Sequence, residues 1–312
     1  MNNAAPLAPE FALIAQHFRP LAGQGALDLS DDAALLTPPP GRELVLAADA
    51  MVGGVHFLPE DPPETIGRKL LRVNLSDLAA MGADPLAYLM TVALPRATPA
   101  AWLEGFVAGL ALDQAEFGLQ VLGGDTVSTP GPASLSLTIL GTVPPGQALR
   151  RGGARPGDSL WVSGSIGDGA LGLRAARGEI PDPDGYLACR YRLPQPRLAL
   201  GRALRGLATA CMDVSDGLVQ DLGHLARASG CGAVLEAALV PLSPQAQAAD
   251  LGFLITGGDD YELLFALPPR TLPSGNMAAT RIGHFTAGPP GVLVLDKTGQ
   301  PMALSHQGWS HF

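Results

Sequence analysis

The sequence predicts an α/β protein of two domains built on mixed α+β sheets, and three observations predict it. Compact apolar runs alternate with segments whose apolar residues recur at helical spacing. Two of those runs, LAYLMTVALP and SLSLTILGTV, read as hairpin-like neighbours, which argues for mixed sheets over a doubly wound one. The chain of 312 residues has room for about two domains of ordinary size, and its best linker, PPGQALRRGGARPGD, sets the boundary near residue 150. The expected domains are therefore 1–150 and 151–312.

In chain order, residues 10 to 18 set Phe11, Ile14 and Phe18 on one helical face, and a Gly-rich turn follows that leads to Ser30-Asp31-Asp32 in a loop. ELVLAAD reads as a buried strand with Asp49 at its exit, passing into the glycine turn before His56. From Pro62 to Gly82 the spacing of Ile66, Leu70, Val73 and Met81 marks a helix, with Asn74 and Asp77 sharing another face. LAYLMTVALP is a strand, Thr98-Pro99 caps a helix to Phe117, LQVLGGDT is a strand ending in a turn, and SLSLTILGTV alternates like a strand. Beyond the linker, SLWVSGS is a strand and GDGALGLRAARG and PRLALGRALRGL are helices. ATACMDVSDG is a strand entering the turn that opens the helix DGLVQDLGHLARASG. TGGDDYELLFALP is a glycine turn feeding a buried strand, followed by short strands and the tail GWSHF.

Composition narrows the function classes. Hydrophobic residues make up 47% and charged residues 16%, enough apolar surface for packed cores and no sign of disorder. A net charge of -9 provides no basic surface for nucleic acid. The same charge means that phosphates, if handled, need cations as intermediaries. Cys189, Cys211 and Cys231 are widely spaced and belong to no Cys/His cluster, so they read as buried small hydrophobes in a reducing compartment. The N-terminus lacks a signal-peptide pattern and no run approaches a membrane span, so the expectation is a soluble, cytoplasmic protein that binds no membrane.

The chemistry lies in the aspartates: Asp31-Asp32, Asp49, Asp77, Gly124-Asp125, Asp213 with Ser215-Asp216, and Asp259-Asp260. Each reads as a loop residue or the end of an element. One Asp beside Gly is ordinary turn chemistry. A series of them suits phosphoryl transfer, because Mg²⁺ takes hard oxygen ligands, keeps waters and phosphates in its shell, and asks for only one or two carboxylates per ion. A calcium loop does not fit DVSDGLVQDL: counting from Asp213, the fifth position is Gly217 and the sixth Leu218, where an EF-hand wants a ligand and then Gly. Gly164-x-x-Gly167-x-Gly169 after SLWVSG is a weak phosphate-cradle pattern.

Taken in order, these segments resemble the thiamine-monophosphate kinase family, in the superfamily of aminoimidazole ribonucleotide synthetase, nearly end to end. The carriers are Asp31 to Leu36, Asp49 to Phe57, NLSDLAAMGADP, GGDT, Arg151 to Asp158, DVSDGL with DLGHLA, GGDDYEL and the terminal HF. The resemblance implies the two-domain synthetase-like fold, with N-terminal domains paired in a homodimer, and direct γ-phosphoryl transfer from ATP to thiamine monophosphate with several Mg²⁺ ions. It implies Asp32, Asp49, Asp77, Asp125, Asp213 and Asp216 as metal ligands. Gly124, Asp125, Arg151 and Ser215 become ATP contacts, and His56 and Asp259 contacts to the thiamine phosphate. His56 on residue type alone reads as a packed residue; its family segment makes it a ligand. Trp309 is added as a ring that could stack on the substrate heterocycle. No nucleophile or general base is expected, since the acceptor phosphate, with a second pKa near 6, is largely ionised at neutral pH.

Three positions depart from the family pattern: Ala47-Ala48 before Asp49, Ser30 before the Asp pair, and Asp259 where Glu is usual. The rival readings are a sibling synthetase of the same superfamily and a non-catalytic metal-binding protein. Siblings with an N-terminal reactive Cys, or with a modified Cys at the end, are disfavoured because the first cysteine is Cys189 and the last residue Phe312.

Overall fold

The computed structural model describes residues 9–271 and 278–310. The terminal His311-Phe312 pair lies outside them. The chain divides into two compact units, Met1–Leu78 with Asp84–Pro145, and Ala79–Ala83 with Gly146–Phe312.

The first unit holds α1 (Glu10–Leu13), β1 (Glu43–Val52), α2 (Pro63–Ala80, its last two residues falling in the second unit), β2 (Asp84–Pro95), α3 (Ala100–Phe117), β3 (Val121–Thr129) and β4 (Ser134–Val143). Its sheet runs β1-β4-β2-β3, with β2 and β3 parallel and the other pairs antiparallel. The expected neighbours LAYLMTVALP and SLSLTILGTV are the pair β2 and β4. In β1 the period of two decides the faces: Val45 and Met51 are buried, while Leu44 and Leu46 are exposed on the other side. α2 and α3 are registered by buried charge, with Arg72 Nε 2.6 Å and Arg68 Nε 2.8 Å from the two oxygens of the fully buried Asp113.

Three expectations change here. Asp49 is not at a strand exit, because β1 continues three residues further with Ala50, Met51 and Val52 paired to Ser136, Leu135 and Ser134. Gly124 and Asp125 likewise sit inside β3, since residues 123–129 go on pairing with β2 as far as Pro95. α1 passes into a π turn, Ile14–Phe18, whose wider pitch rotates Phe11 off the inner face, so Phe11 is 83% exposed while Leu13 and Phe18 are buried.

The second unit holds β5 (Ser159–Ser163), α4 (Asp168–Ala176), α5 (Tyr186–Arg192), α6 (Leu198–Ala203), β6 (Ala210–Val214), α7 (Leu218–Ser229), β7 (Gly232–Glu236), α8 (Leu251–Thr256), β8 (Glu262–Leu267), β9 (Ala279–Thr286) and β10 (Gly291–Leu295). The sheet order is β10-β7-β9-β5-β8-β6, with β10 and β7 parallel and the rest antiparallel. β6 and β8 are buried throughout, apolar but for Asp213 in β6 and Glu262 at the start of β8. α7 sets Leu218, Leu222 and Leu225 into the same core as Leu160, Met212 and Leu264. PRLALGRALRGL forms only the short α6 before turning into β6. Cys211 and Cys231 are buried as expected, but Cys189 on α5 is exposed. Among the described residues no helix is long and apolar enough to cross a membrane.

Candidate functional site

In the second unit three sequence-distant turns converge. β6 delivers Asp213 and Val214, and the chain then turns through Ser215, Asp216 and Gly217 into α7. The turn is fixed from within α7, where the Asp221 carboxylate accepts the N–H groups of Asp216 at 3.1 Å and Gly217 at 3.2 Å. Carboxylates favour a helix start, where backbone N–H groups lack partners. The acidic turn before β8 docks beside it: Asp259 N–H donates to Ser215 O at 2.9 Å and Tyr261 N–H to Val214 O at 2.8 Å. From the tail, Trp309 N–H donates to Asp216 O at 2.8 Å, and Gln220 Nε2 bridges Asp216 Oδ2 and Trp309 O. Ser215, Asp216, Asp259 and Trp309 are thus gathered, and the Trp309 side is 55% exposed.

Asp213 is buried at the base of this junction. Burial, and after it the charges of Asp213 and Asp216, push the Asp221 carboxyl up to about 8. The part of this shift that comes from Asp213 and Asp216 is crowded negative charge, which a cation would relieve. Arg151 lies toward the other end of α7, where Ser229 Oγ donates to its carbonyl and accepts the N–H of Ala154 at 3.1 Å. His224 on α7 lies within the field of both places: burial first, then Arg227 and Arg151, lower its pKa, and Asp216 opposes them.

In the first unit a groove of about 740 Å³ opens on the sheet. Phe11, Ile14 and Phe18 form one side, and Asp32, Gly124 and Asp125 are in its lining. An apolar wall beside carboxylates suits a ligand with a flat ring and an anionic end. The remaining residues of this unit lie elsewhere. Asp49 shares the inner face of β1 with buried Val45 and Met51, and its N–H donates to Oδ1 of Asn74 on α2 at 3.1 Å. Asp77 is one turn beyond Asn74, the one residue from 69 to 80 that keeps partial exposure. His56 is held in the turn after β1, where Val52 N–H donates to its Nδ1 at 3.0 Å and the buried Lys69 Nζ donates to its carbonyl at 3.0 Å. A neutral ring accepting at Nδ1 carries its proton on Nε2.

Asp32 and Asp125 thus line one groove, Asp49 is bonded to Asn74 on the helix that carries Asp77, and Asp213 and Asp216 share the passage from β6 to α7. Among the described residues, no three His, Cys, Asp or Glu side chains converge to hold a metal unaided. Such pairs still fit Mg²⁺, which completes its shell with water and phosphate oxygens. The weak phosphate-cradle pattern at Gly164–Gly169 fails, because the N–H groups of Gly167 and Gly169 are already taken by the buried Asp260 carboxylate. Asp221 was unassigned in the sequence reading although a carboxylate four residues after Gly217, in the first turn of a helix, is a legible signal. Lys69 and Asp260 gave none, since their partners lie 13 and 91 or more residues away.

Comparison with known proteins gives the family of the chain. The AIR synthase related protein, N-terminal domain, matches residues 30–143, and the corresponding C-terminal domain matches residues 155–296. A thiamine-monophosphate kinase from Caulobacter vibrioides is 46% identical, over 99% of this chain and 93% of that protein. The crystal structure of thiamine-monophosphate kinase from Stenotrophomonas maltophilia superposes with a TM-score of 0.82 at 37% identity, covering 97% of this chain and 100% of the other. A structure described as AaThiL complexed with AMPPCP and TMP superposes with a TM-score of 0.80 at 32% identity, over 90% of this chain and 91% of that one.

Proposed function

Because the chain belongs to the thiamine-monophosphate kinase family, within the AIR synthase related proteins, we propose that it converts thiamine monophosphate and ATP to thiamine diphosphate and ADP. A phosphate oxygen of thiamine monophosphate attacks the γ-phosphorus of ATP in line, a P–O bond forms, and the bond to the β,γ-bridging oxygen breaks. The observation that carries the reading is the hydrogen-bonded junction of the Ser215-Asp216 turn, the Asp259 turn and the Trp309 tail. It joins residues suited to metal, nucleotide and substrate in one patch. The complex of a relative with AMPPCP, an ATP analogue, and TMP supports the same pair of substrates.

In this reading Asp32, Asp49, Asp77, Asp125, Asp213 and Asp216 hold Mg²⁺, while Gly124, Asp125, Arg151 and Ser215 contact ATP. His56, Asp259 and Trp309 contact thiamine monophosphate, His56 as an Nε2–H donor to its phosphate. Bound Mg²⁺ supplies charge neutralisation between two polyanions in an acidic protein. No side chain removes a proton, since the acceptor is already ionised. Residues 1–150 act as the domain for nucleotide, metal and dimerisation, and 151–312 as its partner domain. Exposed Leu44, Leu46, Leu89 and Val127 on the first sheet support a homodimer formed through that domain, which light scattering tests. Three free cysteines are in keeping with a cytoplasmic location.

Purified protein with Mg²⁺, ATP and thiamine monophosphate should form thiamine diphosphate. Folded protein that binds ATP and forms none would sink the kinase reading in favour of a sibling synthetase.

A further inference from the structure

The turn that carries Asp259 is held in a conformation its own residues resist. Asp259 has φ 67° and Tyr261 φ 51°, both in the left-handed region, which non-glycine residues keep only when the surroundings hold them there. Between them, Asp260 is 1% exposed. Its carboxylate accepts the Gly167 N–H, at 3.0 and 2.9 Å from its two oxygens, and the Gly169 N–H at 3.1 Å. Arg190 donates to its backbone carbonyl at 3.5 Å and to Glu262, the next acid in the chain, at 3.0 Å. A Cβ on Gly169 would stand 2.3 Å from Asp259 O, so the first turn of α4 and the acidic turn touch backbone to backbone. On the opposite side Asp259 and Tyr261 are bonded to Ser215 and Val214.

We propose that Asp260 is a positioning residue: by anchoring the strained turn to the start of α4 it aims Asp259 at the phosphate acceptor, and it touches no substrate itself. The inference rests on the reading of Asp259 as a contact to thiamine monophosphate. A carboxyl is suited to the task because both of its oxygens can accept, whether or not it carries a proton, whereas the amide nitrogen of Asn only donates and would face one of the two glycine N–H groups.

Two variants of the full chain test it: Asp260→Asn, which weakens the anchor, and Gly169→Ala, which keeps the carboxylate but pushes the turn outward. Amide hydrogen exchange needs no turnover. It should accelerate at residues 167, 169, 259 and 261 in both variants, with the melting temperature largely retained in Asp260→Asn and lowered in Gly169→Ala, whose Cβ meets backbone. In steady-state assays KM for thiamine monophosphate should rise roughly tenfold, the scale seen when a group that orients a ligand is lost, while kcat and KM for ATP hold. Unchanged exchange would overturn the proposal. So would faster exchange with an unchanged KM for thiamine monophosphate, or a uniform loss of active protein with both KM values intact. Wild-type protein that forms no thiamine diphosphate would sink the functional reading instead, and the exchange data separate that failure from failure of the anchor.

Discussion

Gly124 has no room for a side chain, since a Cβ there would lie 1.7 Å from Met90 O across the parallel pair of β2 and β3. Its φ of 156° adds strain for any other residue. Gly124→Ala should therefore cost stability at the upper end of the roughly 0.5–3 kcal/mol of ordinary substitutions, read by chemical denaturation, and should distort the neighbouring Asp125. The carboxylates respond in the opposite way. Asp213→Asn and Asp49→Asn should lower kcat at least about 100-fold, the scale of losing one preorganised electrostatic contact, with little loss of stability. For Asp213 the reason is that its charge crowds Asp221 in the absence of a cation. Near wild-type rates in both variants would remove the metal assignment. Ser215, Asp216 and Asp259, which motifs name, lie at one junction of turns in the structure. Residues whose work is to hold another residue are not legible in the sequence: nothing in the spelling of α2 tells that Lys69 reaches the His56 carbonyl.

At the scale of elements, apolar runs mark the strands of the first sheet and most of the second, because a buried strand needs little more than a run of that length, while β7, the five residues GAVLE directly after α7, goes unmarked. Strand ends are less legible: Gly257-Gly258-Asp259 is the turn it looks like, but Gly123-Gly124-Asp125, of the same spelling, is strand. In β3 that triplet is carried on in extended form by pairing with β2, which sequence-local turn chemistry cannot foresee. α5 was missed because YLACRYR is short and lies among Asp, Pro and Gly residues that read as loop. α2 and α3 depend on a feature that periodicity also hides, the buried contact of Arg72 and Arg68 with Asp113. Asp113→Asn would leave the buried Arg72 and its neighbour Arg68 only the half-exposed Glu116 as countercharge. It should destabilise the protein by about 3–5 kcal/mol, the usual cost of breaking a buried pair, lowering the denaturation midpoint without changing which substrates are accepted. A change below about 1 kcal/mol, the range of exposed pairs, would mean that the pair is relaxed by water in solution.

For the whole molecule, the second unit stores a dependence on pH. Asp260 is pushed up to about 8 by burial, against the pull of the Gly167 and Gly169 amides and of Arg190. Asp221 is pushed to about 8 by burial and by Asp213 and Asp216. An Asp in the unfolded chain titrates near 3.9. Below that value both states are protonated and the full stability is present. Between about 4 and about 8 the folded protein holds protons that the unfolded chain has released, so stability falls as pH rises through that window and levels off above it. Without Mg²⁺ the melting temperature should therefore decline steadily from pH 6 to pH 8, and Asp221→Asn should make the decline shallower. Added Mg²⁺ should raise the melting temperature more at pH 8 than at pH 6, because an ion beside Asp213 and Asp216 removes the repulsion that adds to burial in keeping Asp221 protonated. Asp260 is far less exposed to that relief, being held by backbone N–H groups of α4, so Asp260→Asn should flatten part of the pH profile while leaving the Mg²⁺ response in place. A wild-type profile that is level across this range, or an equal Mg²⁺ shift at both pH values, would mean that the two acids are not protonated in the folded protein.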